Sequence, residues 1–196
     1  MNDFSKIKNK VFIAIGAIIF IILLAFIINR ILLVNKQFPS STIEKYTESE
    51  SFHIDDITLK VNVLSLFRDD EIGEIVPRYL DAENNEDLVI ADSTILMLVN
   101  ITLTNQTLDE KEIPLYEFYL QKNTWYNGID ASYYNELNDD NKLLLSLLPG
   151  DEVTINIPYL AYDFQFNNSN EWNNMKKDMF ELVLRTYPLK QIVCFS

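Results

Sequence analysis

The sequence predicts a mainly β fold: a β-sandwich carried behind one N-terminal transmembrane helix. Three observations predict it. Val11 to Ile28 (VFIAIGAIIFIILLAFII) is a run of eighteen apolar residues without a charge. Beyond it, short runs of Val, Ile, Thr, Tyr and Phe alternate with polar residues at period two, separated by turn residues. No 3.6-residue period is sustained there, and no segment repeats, so alternating β-α-β units are not expected.

As a helix the apolar run is about 27 Å long, against the ~30 Å of a bilayer's hydrocarbon core. Lipid offers backbone groups no partner, and a helix satisfies them within itself. Lys6, Lys8 and Lys10 precede the run, opposed by Asp3, while Arg30 and Lys36 follow it. The denser cluster favours a cytoplasmic N-terminus and an exported C-terminal part. The run exceeds the ~7–15 residues of a signal-peptide core, and no small-x-small site follows it. The expected organisation is a cytoplasmic segment 1–10, an uncleaved single-pass signal anchor 11–34, a spacer 35–51 and an exported sandwich 52–196.

The spacer is polar and carries Pro39-Ser40-Ser41. Ser41 and Glu44 have capping-box spacing, which predicts a short helix from Thr42. Phe52 to Phe67 reads as strand: Ile57, Leu59, Val61, Val63 and Phe67 share one face, with a slip of register at Asp55-Asp56. A charged turn at Asp69 to Glu71 leads to a shorter strand, Ile72 to Leu80, and Asp81 to Asp87 is an acidic loop. Thr94 to Thr104 is the clearest strand; Leu96 and Leu98 fill its second face early, so its start is covered on both sides. Ile113 to Lys122 predicts a strand with Tyr116, Phe118 and Leu120 on one face. Trp125 to Asn141 has no clean period and reads as loop with a turn at Asn127-Gly128. Lys142 to Leu148 and Glu152 to Tyr159 are strands joined by a type II turn at Pro149-Gly150. Phe166 to Lys177 allows a helical turn, and Met179 to Tyr187 and Leu189 to Phe195 are the last two strands.

Charge is divided sharply. Residues 1–36 hold five bases and one acid (+4), leaving eleven bases and 28 acids (−17) for residues 37–196. Such a domain repels nucleic acid and attracts cationic peptides, so an envelope protein or a cationic peptide is the expected partner, besides the membrane. Cys194 is the sole cysteine, which excludes an intrachain disulfide; an exported domain without one suits a Gram-positive envelope.

Chemistry is sparse. His53 is the one histidine, so a Ser-His-Asp or Cys-His mechanism must run through it, and nothing brings Cys194 to it. One histidine and one cysteine exclude a zinc site built from those ligands. Asp81, Glu83, Asn85, Asp87 and Asp92 have calcium-loop spacing, but Glu86 stands where the sharp turn wants Gly. No cofactor and no catalytic residue are therefore assigned. An envelope hydrolase working through an acidic pair and a calcium-stabilised adhesion module are the alternatives to a non-enzymatic binding domain. Trp125, Tyr126, Tyr133 and Tyr134 are the candidate partner-binding residues, because irregular loops present aromatics to ligands.

Three stretches carry a resemblance: LMLVNITLTNQ (Leu96 to Gln106), the L-P-G-D turn with its strand (Leu148 to Ile157), and E-L-V-L-x-x-Y-P-x-K (Glu181 to Lys190). Together they resemble a group of single-anchor Gram-positive proteins of about this length with an exported immunoglobulin-like (telokin-like) domain. The resemblance implies that fold and supplies no catalytic residue.

Overall fold

The computed structural model describes residues 3–68, 70–76, 93–139, 142–166 and 168–196. The chain divides into two compact units, Met1–Ser41 and Thr42–Ser196. The first is one helix, α1 (Asp3–Gln37), of 35 residues. Within it Ile15–Gln37 is long and apolar enough to cross a membrane. Apolar residues cover it all round from Phe20 to Ile28, with no polar stripe along one face.

The second unit begins at once with a strand, β1 (Thr42–Thr47), where the sequence predicts spacer and a short helix. Ser41 and Glu44 form no capping box, because the strand lies parallel to β11 (Leu189–Cys194), Thr42 opposite Leu189. The remaining strands are β2 (Ser51–Ile54), β3 (Ile57–Arg68), β4 (Thr94–Asn105), β5 (Lys111–Pro114), β6 (Tyr119–Lys122), β7 (Trp125–Gly128), β8 (Leu144–Leu147), β9 (Glu152–Tyr162) and β10 (Glu181–Arg185). They form a five-stranded sheet β1-β11-β10-β6-β7, a four-stranded sheet β2-β3-β4-β9 and a small pair β5-β8.

The predicted run Phe52 to Phe67 is in fact two strands of one hairpin. Asp55, in the left-handed region at φ 51°, turns the chain, so the register slip is a reversal. The bulge falls later, between Val61 and Val63, and moves the buried face from Val61 to Leu64, leaving Val63 exposed. The Asn62 amide, set out by the bulge, donates to Asn100 Oδ1 (2.7 Å) and Thr102 Oγ1 (2.9 Å). Gly150 has φ 85° and Asp151 N donates to Leu148 O at 3.0 Å, the type II turn that Pro149-Gly150 predicts.

The main core lies between the sheets, with Leu59, Val61, Met97, Ile101, Leu103, Leu120, Ile157 and Leu182 fully buried. A second, smaller core covers the other face of β4 at its start: Ile72, Val76, Leu96, Leu98, Tyr133 and Leu160. It accounts for the unbroken burial from Ile95 to Val99. Two short helices supply its cover, α2 (Asp70–Ile75) and α3 (Ala131–Leu137). Hence Ile72 to Ile75 is helix, not strand. Residues 77–80 of that predicted strand and the calcium-loop residues Asp81, Glu83, Asn85, Asp87 and Asp92 lie outside the described residues.

The outer edge of β9 is closed by hydrogen bonds from the segment 127–138. Asn138, just after α3, accepts from Asn156 N (3.0 Å) and donates to Asn156 O (2.9 Å), as a neighbouring strand would. Pro158 O accepts from Asp130 N, and Leu160 O from the Asn127 amide. An open edge invites pairing with another chain; this one is capped at three successive outward positions.

Candidate functional site

The sequence expectation of one strand from Ile113 to Lys122 fails at Pro114, whose ring cannot donate to a ladder. The chain instead makes a single 3-10 turn, Leu115–Glu117, between β5 and β6. The turn buries Leu115 and swings Tyr116 and Glu117 outward. Tyr116 therefore leaves the face of Phe118 and Leu120, which point to the core. β6 and β7 then form a hairpin turning at Asn123 (φ 53°), not at Asn127-Gly128.

Alternation along β7 separates the first two candidate aromatics. Trp125 turns inward, stacks on Phe166 at 5.9 Å, meets the edge of Phe180 at 5.7 Å and donates its Nε1 to Gln165. Tyr126 turns outward, 72% exposed, with its ring 6.1 Å from Tyr119 in an edge contact. Tyr116, 59% exposed, stands on the same concavity, about 450 Å³ in volume, with Glu117, Gln121 and Asn123. Partial burial raises the Tyr119 hydroxyl above its ordinary pKa, so that phenol stays neutral at physiological pH.

Tyr133 and Tyr134 are not on this surface. Asp130 caps α3 by accepting from Tyr133 N, and the helix drives the two side chains into different cores, where they are 1% and 0% exposed. The expectation that irregular chain presents them was wrong because a 7-residue helix is too short for its period to show. Tyr116 and Tyr119 are the surface aromatics the sequence reading missed; Pro114 was the signal.

Next to the tyrosines the outward face of the five-stranded sheet is polar. Glu181 accepts from the Gln121 amide (2.6 Å) and Lys45 Nζ (3.1 Å), and Cys194 Sγ lies 3.8 Å from it. Burial pushes the Glu181 carboxyl up, but the hydrogen bonds from Gln121 and Lys45 and the Lys45 charge outweigh it and hold it below the usual range. Burial, then Glu181, raise the Cys194 thiol, which makes it a poor nucleophile. His53 is exposed on β2 with Nδ1 3.3 Å from Thr58 Oγ1. Among the described residues neither is set beside a reacting partner.

A second concavity, about 340 Å³, opens at one end of the sandwich. It lies under the β2–β3 turn, against β5 and the end of β10. Two ion pairs fasten that turn: Asp56 to Lys111 of β5 (2.6 Å) and Asp55 to Arg185 of β10 (2.5 Å). The Lys111 hydrogen bond and charge hold the Asp56 carboxyl below its ordinary pKa. Glu117 and Phe118 line both concavities, so the two are neighbours across one residue pair.

Fold and surface together define a class: a two-sheet sandwich behind an apolar helix, with exposed tyrosines and no assembled catalytic constellation among the described residues. A family profile, Domain of unknown function (DUF5028), matches residues 41–191, and the chain belongs to that family. Curated protein sequences give no match. Among solved structures the chain is similar to the yjhA protein from Bacillus subtilis, with TM-score 0.51, 13% identity and 77% of this chain and 99% of that one covered. That likeness shows the same fold. A functionally unknown protein from Listeria monocytogenes EGD-e aligns with TM-score 0.46, 13% identity and coverage of 74% and 70%. An uncharacterized β-sandwich protein from Clostridium difficile 630 aligns with TM-score 0.45, 10% identity and coverage of 79% and 95%.

Proposed function

We propose that this chain is a single-pass, membrane-anchored binding protein without enzymatic activity. Its sandwich lies outside the cell and takes a cationic envelope peptide or protein on the tyrosine face. The observation that carries the reading is the outward group Tyr116, Tyr119 and Tyr126 beside Glu117, on a domain of charge −17. Tyrosine faces attract Lys and Arg through their ring quadrupoles, and a negative domain raises the encounter rate with such partners. The same charge disfavours nucleic acid. Lys6, Lys8 and Lys10 ahead of the apolar helix support an N-terminus held in the cytoplasm.

The strand orders favour an immunoglobulin-like description of the sandwich. β11-β10-β6-β7 run in the sequence G-F-C-C′, and β3-β4-β9 in the sequence A-B-E. β8 stands where D would in the chain but pairs with β5.

Topology is tested by protease shaving of intact cells carrying a tag at each end. Loss of the C-terminal tag alone is expected; its survival until the cells are opened overturns the orientation. Binding is tested by titrating a lysine-rich peptide onto the full chain in nanodiscs. Salt-sensitive binding weakened several-fold by Tyr126→Ala is expected, and salt-insensitive or absent binding refutes the reading.

A further inference from the structure

The end cleft has a composition that the tyrosine face lacks. Its floor is the main core itself: Ile57, Leu59, Leu103, Ile113, Phe118 and Leu184. Its volume falls at the lower end of the ~300–1,000 Å³ of small-molecule sites, enough for one large side chain with room to spare. The rim is charged and unbalanced. Asp55 and Asp56 are matched by Arg185 and Lys111, whereas Glu112 and Glu117 are exposed and pair with no described cation. The rim thus carries four acids against two bases, a field that rejects an anionic amphiphile and welcomes a cation.

We propose that the end cleft is an anchoring subsite for a cationic peptide: it takes one apolar side chain of the peptide, while flanking lysines or arginines meet Glu112 and Glu117. This rests on the reading of the tyrosine face, and it states what that reading leaves open, the form of the partner. Glu117 and Phe118 belong to both concavities, so a chain with its apolar residue in the cleft passes over Glu117 directly onto Tyr116 and the tyrosines beyond. A partner recognised this way alternates cationic and apolar residues within a short extended stretch. A purely cationic segment would use only half of the surface.

The full chain in phosphatidylcholine nanodiscs is titrated with two fluorescent heptapeptides, lysine-rich, one with a central leucine and one with serine there, empty nanodiscs serving as blank. Burying a leucine is worth about tenfold or more in affinity, so the leucine peptide should bind at least about tenfold tighter. Leu184→Phe, which fills the cleft from its floor, should erase the difference; Tyr126→Ala should weaken both peptides and leave their ratio unchanged. A photo-reactive leucine in the first peptide should mark the cleft's own segments, 54–59, 103, 111–118 or 184–185, in the unaltered protein, so the test stands even where Leu184→Phe does not fold. Equal affinities for the two peptides, or marking elsewhere, overturn the subsite while a Tyr126→Ala effect keeps the tyrosine face. Absence of binding by either peptide overturns both.

Discussion

Tyr159 sits in the middle of β9, opposite Met97, wholly buried between the sheets. Its hydroxyl finds no hydrogen-bond partner among the described residues. A hydroxyl stripped of water without a replacement bond costs about 1–3 kcal/mol. The same burial drives its phenol pKa far upward, so the side chain is neutral at any working pH. Tyr159→Phe keeps the ring in place and removes the unsatisfied oxygen. Only a small void is left, and its cost offsets part of the gain. The expected net result is stabilisation of about 1 kcal/mol, or about 2–4 °C in Tm for a domain of this size. Urea unfolding followed by tryptophan fluorescence reads it directly, because both tryptophans, Trp125 and Trp172, lie in the sandwich and none in the helix. The midpoint should rise with an unchanged slope. A loss of about 1 kcal/mol or more would refute the reasoning, for it would mean that the hydroxyl holds a hydrogen bond in solution.

Asn138→Ala removes both bonds to the Asn156 backbone; it should cost about 2 kcal/mol and promote dimers or larger species by light scattering, since it uncovers a strand edge. Lys122 is only 6% exposed, 3.0 Å from Glu171 and over the Phe166 ring, so Glu171→Gln strands a buried charge. A loss of about 1–3 kcal/mol is expected by urea unfolding, below the ~3–5 of a fully buried pair because Glu171 keeps some solvent; Lys122→Met should cost less. Glu181 has its folded pKa below the unfolded one, so its contribution is complete above the ordinary carboxylate range and is lost as pH falls through the folded value. The urea midpoint of the wild type should therefore exceed that of Glu181→Gln at pH 7 and approach it at pH 3.

What could be read in the sequence follows from the length over which a pattern persists. The apolar helix announces itself over eighteen residues, and β4 and β9 through alternation along part of their twelve and eleven residues. The two-sided burial at the start of β4 was legible because Leu96 and Leu98 break the alternation with apolar residues. β1 was not: TIEKYT is polar and largely exposed, and it becomes a strand because β11, far away in the chain, offers it a partner. α2 and α3 are too short to show a period, so the burial of Tyr133 and Tyr134 was hidden with them. Of the four aromatics picked as a site, Tyr126 stands fully on the surface and Trp125 lines the same concavity from its inward side. The cleft at the end of the sandwich assembles from four separate segments, which no local pattern could reveal.

The pairing of β1 with β11 has a mechanical consequence. The chain that leaves the helix at Gln37 enters β1 at Thr42, so any pull on the helix reaches the domain through that strand. β1 is held by a parallel ladder of six residue pairs with β11, so a pull directed along the strand loads those hydrogen bonds together, in shear, instead of opening them one by one. The strand that looks like a linker in the sequence is the domain's grip on the chain that precedes it.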